Sequence, residues 1–199
     1  MPDPAPDAYV SRGALKLAHA LDAFALDVAH FVCADLGCST GGFTDCLLQR
    51  GARKVIAVDT AYGQLAWKLR SDPRVEVRER TNALHAEPSE PVDLVVIDLG
   101  WTPQSRAIPA ALRWLNPTGR ILTLVKPHYE APKESLAPGG VLAEPDAERL
   151  CEQLRTTWPD LAVRELAWTN SPVLGGAAGK RRKRGSGNAE WLALLEPAG

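Results

Sequence analysis

Two groups of residues in this chain could carry chemistry. The first is compact. Asp35-Leu36-Gly37-Cys38-Ser39-Thr40-Gly41-Gly42-Phe43 closes a short apolar run and opens a helical pattern. Glycines at such a turn let backbone approach a ligand and bend sharply into a helix. Asp59 ends the next apolar run, 22 residues beyond Gly37, where an acidic side chain can grip the hydroxyl pair of a ribose. The loop is not the dinucleotide fingerprint, because Ser39 stands where a second glycine would let backbone meet a pyrophosphate. Nor is it a P-loop, because no Gly-Lys-Ser/Thr follows. The turn suits a cofactor with an adenosine and no pyrophosphate. The second group is scattered. Asp98 and Lys126 each close an apolar run, Glu190 lies on the last one, and Lys16 lies in an N-terminal helical pattern.

These residues need elements to position them. Ser11 can cap a helix whose apolar positions, Ala14, Leu15, Leu17, Ala18, Leu21 and Phe24, recur at helical spacing. Residues 31–36 read as a buried strand, 42–49 as a helix, 54–59 as a second strand and 64–70 as a helix. Residues 75–79 read as a third strand, entered from the Asp72-Pro73 turn. Then come a strand at 92–98, a helix at 105–115 closed by Asn116-Pro117-Thr118-Gly119, a strand at 120–126 and a helix at 144–158. The last two strands, 161–168 and 189–195, have no helix between them and so pair antiparallel. Six βα steps with nearly continuous Val, Ile, Leu and Ala strands predict an α/β doubly wound sandwich of about seven strands, the last antiparallel. Ligands in such sheets bind at the carboxyl ends of the strands. That gathers the glycine loop, Asp59, Asp98 and Lys126 along one edge.

Composition narrows the class. At 199 residues the chain is expected to form a flexible tail, 1–8, and a single domain, 9–199. Such a chain buries about 70% of its unfolded surface and needs no disulfide or metal to hold a core. With 23 Lys and Arg against 24 Asp and Glu, the net charge of −1 excludes a binder working through overall charge, though not a local basic patch. No run approaches the ~20 apolar residues of a membrane span. The first ten residues carry prolines and aspartates where a signal peptide needs basic and then apolar ones. Cys33, Cys38, Cys46 and Cys151 form no CxxC pair and have no His at zinc spacing. They read as reduced packing residues of a cytoplasmic protein, with no metal and no membrane expected.

The glycine loop, followed by Val58-Asp59-Thr60-Ala61-Tyr62-Gly63-Gln64-Leu65, resembles the S-adenosylmethionine site of the FtsJ-like RNA 2′-O-methyltransferases. Within them it is most similar to the haemolysin-A-like (TlyA) ribosomal RNA methyltransferases. The likeness runs from about Tyr9 to Leu195 and includes Tyr9-Val10-Ser11-Arg12-Gly13-Ala14-Leu15-Lys16-Leu17 and Leu124-Val125-Lys126-Pro127. It implies a Rossmann-like class I methyltransferase fold with S-adenosylmethionine as cofactor. It also implies that Gly37, Ser39, Thr40, Gly41, Gly42 and Phe43 wrap the methionine part and sugar, and that Asp59 holds the ribose. Thr81 and Asn82 would sit beside the adenine. Asp35 would position the loop or contact the methionine amino end. The family's Lys-Asp-Lys-Glu catalytic set falls on Lys16, Asp98, Lys126 and Glu190, in the contexts Ala-Leu-Lys-Leu, Val-Ile-Asp, Leu-Val-Lys-Pro and Asn-Ala-Glu. The implied reaction is methyl transfer to a ribose 2′-hydroxyl of RNA, with ribosomal RNA or a ribosomal subunit as partner. Lys126 would orient or deprotonate that hydroxyl. Asp98 and Glu190 favour its ammonium form and Lys16 opposes it, so at the level of sequence both roles stay open.

Two departures from the family bear on the acceptor. Residues 99–104, Leu-Gly-Trp-Thr-Pro-Gln, differ from the usual pattern, and Trp101 there could stack on an RNA base. TlyA-like proteins generally begin with a small S4-type RNA-binding domain. This sequence starts almost at the catalytic domain, so the expectation is a chain lacking it, with an accessory RNA-binding partner as one substitute. Lys180, Arg181, Arg182, Lys183 and Arg184, flanked by glycines, offer a second, through contacts to RNA phosphates. Trp67, Trp114, Trp158, Trp168 and Trp191 are expected in or near the core. A small-molecule O-methyltransferase and a non-catalytic RNA- or partner-binding module are the alternative readings.

Overall fold

The computed structural model describes residues 9–175 and 187–199. The tail at 1–8 and the basic run Lys180–Arg184 lie outside the described residues. Seven strands form one sheet: β1 (Val32–Leu36), β2 (Lys54–Val58), β3 (Val75–Arg78), β4 (Val92–Ile97), β5 (Leu115–Val125), β6 (Val163–Asn170) and β7 (Trp191–Pro197). Their order is β3-β2-β1-β4-β5-β7-β6. The first five strands run parallel, and β7 runs antiparallel to both β5 and β6. Strand order reverses between β1 and β4, so the crevice of a doubly wound sheet opens at their carboxyl ends.

Each central strand is apolar on both sides because helices cover both faces. In β2, Val55 and Ala57 face one core cluster and Ile56 and Val58 the other. In β7, Leu192 and Leu194 alternate in the same way with Trp191, Ala193 and Leu195. One face is covered by α1 (Gly13–Ala23), α2 (Gly42–Gln49) and α3 (Trp67–Arg70). The other is covered by α4 (Gln104–Leu112) and α6 (Glu144–Thr156). A short α5 (Pro127–Glu130) follows β5 directly. Burying each of these Leu, Ile and Val side chains is worth ~1.5–3 kcal/mol. The four cysteines are free and buried. Burial pushes the thiols of Cys46 and Cys151 up to about 12, so they pack rather than react.

The structure differs from the sequence reading in several places. Four strands, β1, β2, β4 and β5, lead into an α-helix, fewer than the six expected βα steps, and β3 passes to β4 with no helix, as the predicted elements had it. Residues 116–119 do not close α4 but bulge within β5. Val92 pairs with Leu115 and Leu94 with Arg120, while the Asn116 side chain accepts from Thr118 and donates to Asp93. Ser11 does not cap α1, which has no side-chain cap. Its hydroxyl instead fills the space a side chain at Gly42 would need. Trp67 is not core: it is 77% exposed on α3, whose Leu69 makes the inward contact.

Candidate active site

A cleft of about 530 Å³ lies at the carboxyl edge of the sheet. On one side β1 and β2 deliver Gly37, Ser39 and Asp59, and the segment after β3 delivers Thr81 and Asn82. Gly37 has φ +95°, and a Cβ there would sit 2.6 Å from the Asp98 carbonyl oxygen, so only glycine lets the β1 and β4 ends touch. Ser39 is itself left-handed at φ +48°. Its amide donates to Asp59 Oδ2 at 2.7 Å, and the Ala61 amide donates to Asp59 Oδ1 at 2.8 Å. Two backbone amides thus fix the Asp59 carboxylate at the cleft. Asp35 stands fully buried behind the loop. Thr44 Oγ1 donates to its Oδ2 at 2.7 Å, while Oδ1 is buried with no partner. Burial, with the negative charges of Asp98 and Asp59, pushes the Asp35 carboxyl up to about 7 against the bonds from Thr44.

The remaining loop residues do not line the cleft. A Cβ on Gly41 would run into the side chains of Leu65 and Leu69, and one on Gly42 would meet the start of α1. Phe43 is buried in the core on that face. Thr40 is exposed and accepts from the Ala66 amide. The loop's later glycines therefore serve helix packing, and its first residues serve the cleft.

On the other side the sheet gathers four charges. Asp98 follows β4 and Lys126 follows β5. Because β7 is antiparallel, its start lies beside the end of β5, with Val125 opposite Trp191, and this brings Glu190 next to Lys126. Lys16 reaches over from α1 and donates to Glu190 Oε2 at 2.5 Å. Lys126 donates to Asp98 Oδ1 and lies 3.4 Å from the Leu99 carbonyl. The Glu190 side chain is only 3% exposed, and burial pushes its carboxyl up against the pull of Lys16 and Lys126. For Lys126, burial pulls the ammonium down, yet Asp98, Glu190 and Tyr129 outweigh it and the net direction is up. The four sequence-predicted charges therefore form one cluster of two ion pairs, with Asp98 and Lys126 on the cleft wall.

Several residues that sequence reasoning missed hold this cluster. The Gln104 backbone amide donates to Glu130 Oε1 at 2.7 Å and its side-chain Oε1 accepts from Thr123 Oγ1 at 2.9 Å, clamping β5 and α5 on either side of Lys126. Asn188 accepts from the Leu142 amide at 2.8 Å and donates to the Gly140 carbonyl at 2.9 Å, anchoring the segment that carries Glu190. The Asn-Ala-Glu context was the visible signal for Asn188. Trp101, with φ +52° and 72% exposed, stacks on Tyr129 at 4.5 Å between centroids. His128 beside it is buried with Nδ1 unpartnered, and burial together with the Lys126 and Lys16 charges lowers it to about 4. Among the described residues, no group of three or more His, Cys, Asp or Glu could hold a metal ion. No described helix is long and apolar enough to cross a membrane.

Comparison with known proteins identifies relatives of this chain. The chain is 51% identical over 141 residues to the 16S/23S rRNA (cytidine-2′-O)-methyltransferase TlyA of Mycobacterium tuberculosis, a match covering 69% of this chain and 53% of that protein. It thus spans about half the length of that relative. It is 34% identical over 190 residues to hemolysin A of Brachyspira hyodysenteriae, covering 93% of this chain and 75% of that one. The solved structure of a candidate hemolysin from Streptococcus thermophilus superposes with a TM-score of 0.87 at 36% identity, over 99% of this chain and 69% of that chain. The model of the FtsJ-like methyltransferases matches residues 9–171, and with the fold and charge cluster above the chain belongs to that family.

Proposed function

We propose that the chain carries one S-adenosylmethionine-dependent methyltransferase domain, residues 9–199, that methylates a ribose 2′-hydroxyl of ribosomal RNA in the cytoplasm. The observation that carries this is the charge cluster: Lys16, Asp98, Lys126 and Glu190 come from four distant segments to one place beside the cleft. The rRNA (cytidine-2′-O)-methyltransferase named above supports the substrate class.

The cleft residues fit the cofactor. Asp59, already oriented by two amides, has lone pairs left for a ribose hydroxyl pair. Thr81 and Asn82 line the same wall for the adenine. The buried, unpartnered Oδ1 of Asp35 leaves a strong acceptor behind the loop. S-adenosylmethionine, when bound, supplies an already activated methyl group. The chain's task is the acceptor, a neutral hydroxyl that must be held near the methyl carbon and lose its proton during attack. Lys126, raised by its carboxylate neighbours, is an ammonium at neutral pH and serves as a steering cation rather than a base. It orients the acceptor oxygen and stabilises the charge that develops there. Asp98, paired with it, is the nearest carboxylate to take up the released proton. Lys16 balances Glu190 and keeps the cluster from carrying a buried excess charge. Trp101 offers an exposed indole to a base, and Lys180, Arg181, Arg182, Lys183 and Arg184 supply phosphate contacts.

The test is incubation with methyl-labelled cofactor and, in parallel, total RNA, ribosomal subunits and small metabolites. Label in an RNA ribose is the expected result. Label in a metabolite alone would replace the substrate class, and cofactor binding without transfer to anything would make the protein a binding module.

A further inference from the structure

Tyr129 sits in α5, three residues past Lys126. Its ring meets three groups. The Trp101 indole stacks on it at 4.5 Å with planes 30° apart. The Lys126 ammonium lies 5.2 Å from its centroid. The His128 ring tilts against it at 4.3 Å. Trp101 is largely exposed on a left-handed backbone, so the Tyr129 ring is its visible support. Lys126 is free of that exposure, with its side chain 12% accessible. An aromatic face attracts an ammonium more strongly where water is scarce, and so helps to fix its position.

We propose that Tyr129 is a positioning residue for methyl transfer: one ring fixes the Lys126 ammonium and the Trp101 indole in a single register, so that a base stacked on Trp101 sets its own ribose hydroxyl against Lys126. This rests on the RNA methyltransferase reading above. The ring, not the hydroxyl, does the positioning, since both contacts are to the ring: Trp101 stacks on it and the Lys126 ammonium lies over it. The rate should therefore depend on an aromatic at 129 more than on a phenol.

The experiment uses the full chain, labelled S-adenosylmethionine and ribosomal subunits under single turnover. Tyr129→Leu should slow transfer about tenfold or more, the rate equivalent of one cation–π contact, while affinity for S-adenosylhomocysteine stays within about twofold. Tyr129→Phe should recover most of the loss. An aromatic face favours the ammonium over the neutral amine, so the alkaline limb of the rate–pH profile should move to lower pH in Tyr129→Leu and not in Tyr129→Phe. Trp101→Ala should be slow as well, and the double variant should be no slower than the worse single one, because both remove one unit. Normal turnover in Tyr129→Leu, an unmoved pH limb, full additivity with Trp101→Ala, or a phenylalanine as poor as leucine would each overturn the proposal. A wild-type chain that methylates no RNA would sink the substrate reading and this inference together. An active wild type beside a normal Tyr129→Leu would sink this inference alone.

Discussion

Around Gly37 the cleft is made of backbone and of side chains close together in sequence. Around Lys126 it is made of charges from four segments up to 174 residues apart. On the first side, amides of Ser39 and Ala61 hold a carboxylate, and glycine and left-handed backbone set the shape. On the second, two ion pairs hold one another, and the placement depends on β7 running antiparallel beside β5. Loss of a side chain on the first side should remove a grip on cofactor and leave the acceptor chemistry standing. Loss on the second should do the reverse, because the cofactor wall does not use those charges.

The largest effect expected is at Lys126. Lys126→Ala should lower methyl transfer by roughly 10²-fold or more, the range for removing one donor that stabilises developing charge, with S-adenosylhomocysteine affinity nearly unchanged by calorimetry. Lys126→Arg should fail too, because a planar guanidinium cannot reproduce a point charge between Asp98 and the Tyr129 ring. Near-normal turnover in the alanine variant would remove the lysine from the mechanism. A matching collapse in cofactor affinity would erase the division between the two sides.

Asp59→Ala is the opposite probe. Losing a hydrogen bond to a charged group should weaken cofactor binding by roughly 1.5–3 kcal/mol. Turnover at saturating cofactor should stay close to wild type. Unchanged affinity would mean that the ribose is held elsewhere along the cleft.

The same contrast explains what could be read from the sequence. The cofactor wall was legible because its parts are local: a glycine turn after an apolar run, then an acid at the end of the next run. Helix 42–49 and strand 54–58 were equally plain. Half of the charge cluster, Asp98 and Lys126, was legible from strand ends, but the full set was legible only through resemblance, since nothing in the spacing of Lys16 and Glu190 predicts a 2.5 Å contact. Hidden altogether were features decided by tertiary packing. Gly41 and Gly42 read as ligand glycines, yet they make room for Leu69 and for the start of α1. Asn116-Pro117-Thr118-Gly119 has the composition of a loop, but the chain resumes the same strand after it. Trp67 fits a helix and faces outward, which hydrophobicity alone does not reveal.

Gly37 is where the two sides meet, and it tests whether they are separable at all. Gly37→Ala would put a methyl group against the Asp98 carbonyl and force alanine into left-handed backbone, at a cost of about 1–2 kcal/mol for the backbone alone. Both cofactor affinity and transfer rate should fall, unlike in either variant above. A fall in only one would show that the β4 end yields while the loop holds, or the converse, and would tell which side is the stiffer.

The mildest effect separates the sides by charge. In the acceptor cluster each carboxylate has a lysine, whereas Asp35 has only Thr44 and an unpartnered oxygen. Burial first, then the Asp98 and Asp59 charges, raise its carboxyl to about 7, against an ordinary value of about 3.9. Between those values the folded chain keeps a proton that the unfolded chain has released. The unfolded state then binds fewer protons, so stability falls as pH rises from about 4 through about 7. Asp35→Asn keeps the shape and can still accept from Thr44 Oγ1, but has no charge to bury. Without cofactor, the asparagine variant should melt a few degrees above wild type at pH 8, with the gap closing toward pH 4. Thermal melts across that range decide it. Parallel curves for the two proteins would mean that Asp35 is ionised and compensated in the fold, and the cofactor wall would then hold its charges as tightly as the acceptor cluster does.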